Sequence, residues 1–245
     1  MTTVKTTAGE LKRTARETGL AYAGLAVTGM VGFLLIRPQL YVKGDAAATA
    51  ANLVSHEGLA RLGIAVDLAA VVTQALAALW FYKLFRVVEP FSAVAIAAFG
   101  LVNAVIMLVG AVFSATALDV ALDGTATTIG DRATTTLLMY NLSGIAWRVG
   151  ALFFGLWLIP MGWCALQSMT MPRALGWILM AGGVGYIVSG FVDFLVANAS
   201  TLVYVLTVPA SIGEFWMVGY LLVKGLRPHT AAPEDAAERP LVATP

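Results

Sequence analysis

Six stretches of the chain are almost continuously apolar for roughly the 20 residues that a helix needs to cross a bilayer. They run Gly19–Ile36, Leu59–Phe85, Phe91–Leu118, Leu137–Leu166, Arg173–Ala197 and Thr201–Val223. None shows the two-residue alternation of a membrane strand, so the pattern predicts helices rather than a barrel. The expected fold is all-α: a polytopic bundle of six transmembrane helices. Residues 1–18 read as a basic segment, 19–225 as the transmembrane domain, and 226–245, rich in Ala, Pro and Glu, as a disordered tail.

The first apolar run follows a basic head, as a signal peptide's would. It is too long for one, however, and no small-x-small cleavage site follows, so an uncleaved first helix is expected. Two connections are long, Pro38–Gly58 and Asp119–Thr136, and Asp45 or Asn52 is positioned to cap a short helix in the first. No internal repeat is evident, which counts against an inverted-repeat transporter.

Basic residues in the connections set orientation. Lys5, Lys12, Arg13, Arg16, Lys83, Arg86, Arg173, Lys224, Arg227 and Arg239 fall on one side; Arg37, Lys43, Arg61 and Arg132 fall on the other. Ten against four predicts both termini in the cytoplasm, with the two long connections outside.

Composition agrees with the pattern. Only 12% of the residues are charged and mean hydropathy is +0.83, where a soluble domain carries about 25% charge. A net charge of +1 gives no field to attract nucleic acid. One cysteine, Cys164, and two histidines, His56 and His229, do not make a metal site, and no nucleotide-binding or zinc-protease motif occurs. No cofactor or metal is expected.

Polar residues inside apolar runs carry the remaining information, because a charge at mid-helix costs about 2.5–3.5 kcal/mol on insertion scales. They are Asp67, Arg148, Asp193 and Glu214, with Asn103, Asn141 and Gln74 alongside. At 1.5 Å per residue, Arg148, Glu214 and Asn103 lie near the midplane, whereas Asp67 and Asp193 lie nearer the outer side. The levels allow Arg148 to meet Glu214 and suggest a polar funnel opening outward.

Helical spacing aligns Gly63, Asp67 and Gln74 on one face. Asn141, Gly144 and Arg148 fall on another, and Ala181, Gly185, Ser189 and Asp193 on a third. Such glycine rows more often serve packing than chemistry. A buried Arg148–Glu214 pair can equally fix helix register, and Glu57–Arg61 reads as an interfacial i,i+4 pair. Three deep acids nevertheless face one deep arginine, leaving a carboxylate free to take a proton or a cation. Trp147 and Trp216 sit beside deep charges and could wall a ligand pocket, although core packing is the commoner fate of such residues.

Several segments in order resemble a bacterial membrane-protein family called domain of unknown function 4386. They are Arg61-Leu62-Gly63-Ile64 with Asp67-Leu68, Phe153-Phe154-Gly155-Leu156, Pro172-Arg173-Ala174-Leu175-Gly176 and Gly182-Gly183-Val184-Gly185-Tyr186. The resemblance implies a six-helix bacterial inner-membrane protein and supplies no reaction. It also implies that relatives often carry an arginine in the third span near Gly100, where this chain has glycine.

The leading functional expectation is a pocket for a small apolar or amphipathic molecule, isoprenoid- or lipid-like, within the bilayer. Arg148, Asn103, Asn141, Asp193, Trp147 and Trp216 would bind it, and Glu214 or Asp67 would serve as acid or base if chemistry follows. The alternatives are a proton- or cation-coupled transporter and a non-catalytic partner subunit docking through its glycine faces.

Overall fold

The computed structural model describes residues 8–123 and 131–225, which are helical almost throughout, with no strand among them. Lys5, Arg227, Arg239, His229 and the expected tail lie outside the described residues.

The first span begins as an α-helix at Ala8–Met30, widens into a π-helical turn at Val31–Ile36 and ends in the short segment Arg37–Leu40. Lys12, Arg13 and Arg16 thus ride on the helix itself, ahead of the apolar run. A short helix, Ala46–Ser55, follows. The Asp45 carboxylate caps it by accepting the Ala48 N–H at 2.8 Å, as the sequence predicts.

The second to sixth spans are Glu57–Phe85, Pro90–Asp123, Arg132–Gln167, Arg173–Leu195 and Ser200–Val223. The third and fourth reach further than their apolar runs, so the expected connection Asp119–Thr136 shrinks. Hydropathy falls where polar side chains begin, but backbone hydrogen bonding continues until a cap intervenes. Here the cap is Asp131, whose carboxylate accepts the Thr134 N–H at 3.0 Å. At the other end of the bundle Gly225, at φ +67°, closes the sixth span with its N–H on the Tyr220 carbonyl.

Six of these helices are long and apolar enough to cross a membrane. Their outer faces carry bare apolar side chains such as Phe91 and Leu195, each 80% exposed, and Leu34, 67% exposed. Water would not tolerate such a surface, whereas lipid does, so the chain is a multi-pass membrane protein.

Each span packs against its neighbours in sequence, and the first closes against the sixth to complete a ring. Glycines set the closest approaches. A Cβ at Gly155 would lie 2.6 Å from the Gly183 carbonyl oxygen, one at Gly162 2.5 Å from that of Gly176, and one at Gly182 2.4 Å from the Ala210 Cα. The motifs that carry the family resemblance are therefore largely backbone contacts among the fourth, fifth and sixth spans. Gly100 is crowded too: a Cβ there would lie 2.6 Å from the Trp157 ring and 2.7 Å from Ala78, and its carbonyl accepts from the Gln74 amide at 3.3 Å. An arginine has no room at Gly100 in this packing.

We term proximal the face where the first span starts and the sixth ends, and distal the opposite one. Aromatic side chains fill the proximal half of the ring. Tyr22, Phe81 and Trp157 meet edge to face at 5.3–5.8 Å, with Phe85 stacked on Phe81 at 5.9 Å. All four are 2% exposed or less. The distal half is not filled in this way.

Candidate functional site

A cavity of about 920 Å³ extends from the distal side of the ring past its middle, as far as Tyr22, Asn103 and Val218. Its walls are mostly apolar, with Leu25, Phe33, Met107, Ile145, Phe154 and Phe215 among them. Three cations, Arg37, Lys43 and Arg148, reach it from the distal side, and Glu214 lines it deeper along the sixth span. Tyr22 donates its hydroxyl to the Glu214 carboxylate at 2.6 Å, across the seam between the first and sixth spans.

Of the residues expected to form a site, Arg148, Asn103, Asn141, Trp147 and Glu214 line this one cavity. Asn103 is 4% exposed and directs its amide nitrogen at the Met107 sulfur, 3.5 Å away. The Asn141 amide oxygen accepts from the Tyr41 hydroxyl at 2.9 Å. Trp147 packs edge-on to Phe33 at 4.8 Å.

Arg148 does not meet Glu214. Its guanidinium donates to the Asp193 carboxylate at 3.1 Å, and its charge lies 5.5 Å over the Phe194 ring. The fourth span packs extensively against the fifth and has no comparable contact with the sixth. Equal depth therefore did not decide the partner; adjacency in the ring did. Asp193 consequently serves the cavity through Arg148 rather than by lining it.

Asp67 belongs to a separate crevice of about 30 Å³, bounded by Gly32, Ile36, Arg37, Ser114, Tyr140 and Trp147 among others. There it interacts with Ser114 and, electrostatically, with Arg37. It does not reach the main cavity. Trp216 is also displaced from its expected role: it is 39% exposed and absent from the wall. Two residues along an α-helix turn the side chain by about 200°, so Glu214 facing in obliges Trp216 to face out.

Two features escape a reading of the sequence. Tyr22 is one aromatic in a long apolar run, and nothing local marks it as the partner of Glu214. Arg37 flanks the first span and counts there only toward orientation, yet it lies inside the ring. Its Nη2 donates to the Tyr140 carbonyl at 3.3 Å, and its charge sits 4.7 Å over the Tyr140 ring and 5.6 Å over that of Tyr41. It borders both the cavity and the Asp67 crevice. Among the described residues no three His, Cys, Asp or Glu side chains gather as a metal would require.

The arrangement offers hydrogen-bond donors and positive charge at one end, apolar walls between, and a single carboxyl–phenol pair at depth. Comparison with curated proteins and with solved structures returns no match. One family, described as "Domain of unknown function (DUF4386)", matches residues 18–225, from the first span through the sixth. Because that match covers most of the chain and takes in the glycine contacts that shape the ring, the protein belongs to this family.

Proposed function

We propose that this protein binds a small amphipathic molecule, isoprenoid- or lipid-like, in the distal cavity of a bacterial inner-membrane bundle whose termini face the cytoplasm. The observation that carries the reading is the polarity of the cavity along its length: cations distally, apolar walls, and Glu214 with Tyr22 at depth. An anionic head would lie at Arg148 and its chain against Phe33, Met107, Phe154 and Phe215. If conversion follows binding, Glu214 is the carboxyl available to move a proton, with Tyr22 holding it in position. The bias of basic residues toward the proximal face supports the orientation.

A proton- or cation-coupled carrier is less well supported. It needs a path through the proximal half, which Tyr22, Phe81, Phe85 and Trp157 fill with aromatic side chains. A partner subunit docking through its glycine faces is disfavoured because the closest glycine contacts are already used within the ring.

Native mass spectrometry of the detergent-purified protein with dodecanoate tests the proposal. A one-to-one adduct is expected for the wild type and is lost in Arg148→Ala and in Glu214→Gln, with circular dichroism unchanged. Equal adducts in all three proteins would refute the site.

A further inference from the structure

We infer that the head site is built for a phosphate-type group, a phosphate monoester or diphosphate, gripped between two guanidinium groups, Arg37 and Arg148. This rests on the reading of the cavity as an amphiphile site and specifies what its polar end recognises.

The geometry begins at Gly144 on the fourth span. A Cβ there would lie 2.7 Å from the Arg37 Nη2, so the guanidinium of the first span occupies the notch that glycine leaves in the fourth. The Tyr140 carbonyl and the rings of Tyr140 and Tyr41, themselves stacked at 5.6 Å, hold it there. Among the described residues Arg37 has no ion-pair partner, although Asp67 acts on it electrostatically from the crevice behind. Its charge is therefore balanced from one side only, and its other side borders the cavity.

Arg148 follows four residues on along the same face, its backbone about 6 Å along the helix from Gly144 at 1.5 Å per residue, and it lines the same cavity as Arg37. It gives Nη1 to Asp193 and is still 53% exposed. Asn141, one turn to the distal side of Gly144, has spent its amide oxygen on Tyr41, which leaves the amide nitrogen to donate. Lys43 completes the rim.

A carboxylate is satisfied by one guanidinium in a bidentate pair. Two guanidiniums, an ammonium and an amide exceed what a monoanion with two oxygens can use. A tetrahedral group with about two negative charges and three free oxygens uses all of them. The cradle is assembled from two spans, and Gly144 is what allows them to share it.

The experiment compares dodecyl phosphate, dodecanoate and inorganic phosphate as probes of the purified protein, by native mass spectrometry and calorimetry. The wild type is expected to bind dodecyl phosphate about tenfold or more tightly than dodecanoate, a difference of about 1.4 kcal/mol or more. Arg37→Gln is expected to erase that preference while leaving dodecanoate, held by Arg148, within about twofold. If Arg37→Gln does not fold, Arg37→Lys replaces it, and a point charge in place of the fork is expected to cut the preference by at least half.

Equal affinities for the two amphiphiles in the wild type would overturn the inference and leave the amphiphile site standing. So would equal losses for both amphiphiles in Arg37→Gln. Inorganic phosphate binding as tightly as dodecyl phosphate would keep the phosphate cradle and remove the lipid-like ligand. No binding of any probe would remove both.

Discussion

Replacement of Gly185 by alanine probes the close approach of the fifth and sixth spans. Gly185 faces the sixth span, and a Cβ added there would lie 2.0 Å from the Leu206 carbonyl oxygen, where ordinary contact begins at 3.4 Å. The fifth and sixth spans must separate by about 1.4 Å to accept one methyl group. A backbone oxygen cannot rotate away as a side chain can, so the strain falls on the packing of two helices. Overpacking of this kind costs about 1–3 kcal/mol, and alanine recovers up to about 1 kcal/mol of helix propensity over glycine. A net loss of about 1 kcal/mol lowers Tm by roughly 2–4 °C in a chain of this size. Gly190, five residues on, supplies the control: nothing lies within 4 Å of a Cβ there, so Gly190→Ala should leave Tm unchanged or raise it. The protein carries its own reporter. Cys164 is the only cysteine and is 0% exposed, so a thiol-reactive dye labels it only when the bundle opens. Coincident labelling transitions for Gly185→Ala and Gly190→Ala would refute the reasoning, because the two differ only in what the new methyl meets.

Two further outcomes follow from individual contacts. Tyr22→Phe takes away the hydroxyl that Glu214 accepts at 2.6 Å; a hydrogen bond to a carboxyl that water does not replace is worth about 1–3 kcal/mol, and denaturation in mild detergent should show that loss, whereas an unchanged midpoint would mean the pair contributes nothing. Outside the spans, the hydroxyl and backbone N–H of Thr134 hold the Asp131 carboxyl below its usual range, and those of Ser92 do the same for Glu89. Both groups bind protons more weakly folded than unfolded, so their contribution is complete above the ordinary values near 4 and is lost as pH falls through the depressed folded ones. Circular dichroism melts should steepen in acid for the wild type and less so for Asp131→Asn with Glu89→Gln; parallel acid slopes would deny these contacts any part in stability.

The bundle itself was legible because its evidence is local. Twenty apolar residues have few alternatives to crossing a bilayer, and Asp45 sits immediately before an alanine-rich helix that needs a cap. The site was legible only in part, because depth can be counted along one helix while partners belong to two. Arg148 and Glu214 share a level, but the ring sets the fourth span beside the fifth, and Asp193 takes the guanidinium. Trp216 looked close to the site because two residues separate it from Glu214; the helix carries it to the lipid side.

Arg37 shows why the remainder stayed hidden. A helical projection of the first span assumes 3.6 residues per turn, and under that assumption Arg37 simply ends an apolar run at the interface. Over Val31–Ile36 the chain instead adopts i→i+5 turns, as the Arg37 N–H bonded to the Gly32 carbonyl shows. Each such turn inserts an extra residue into the count, so every side chain beyond it points elsewhere than the projection predicts. No residue type in Val-Gly-Phe-Leu-Leu-Ile announces the wider turn. Beyond it Arg37 reaches toward the fourth span, where Gly144 has left a space and Tyr140 offers a carbonyl and a ring. A valine at Gly144 would fill that space from the other helix, and Arg37 could then keep its place only by moving the first span. The candidate site is thus decided by the agreement of a turn in one span with an absent side chain in another, a relation that neither segment carries alone.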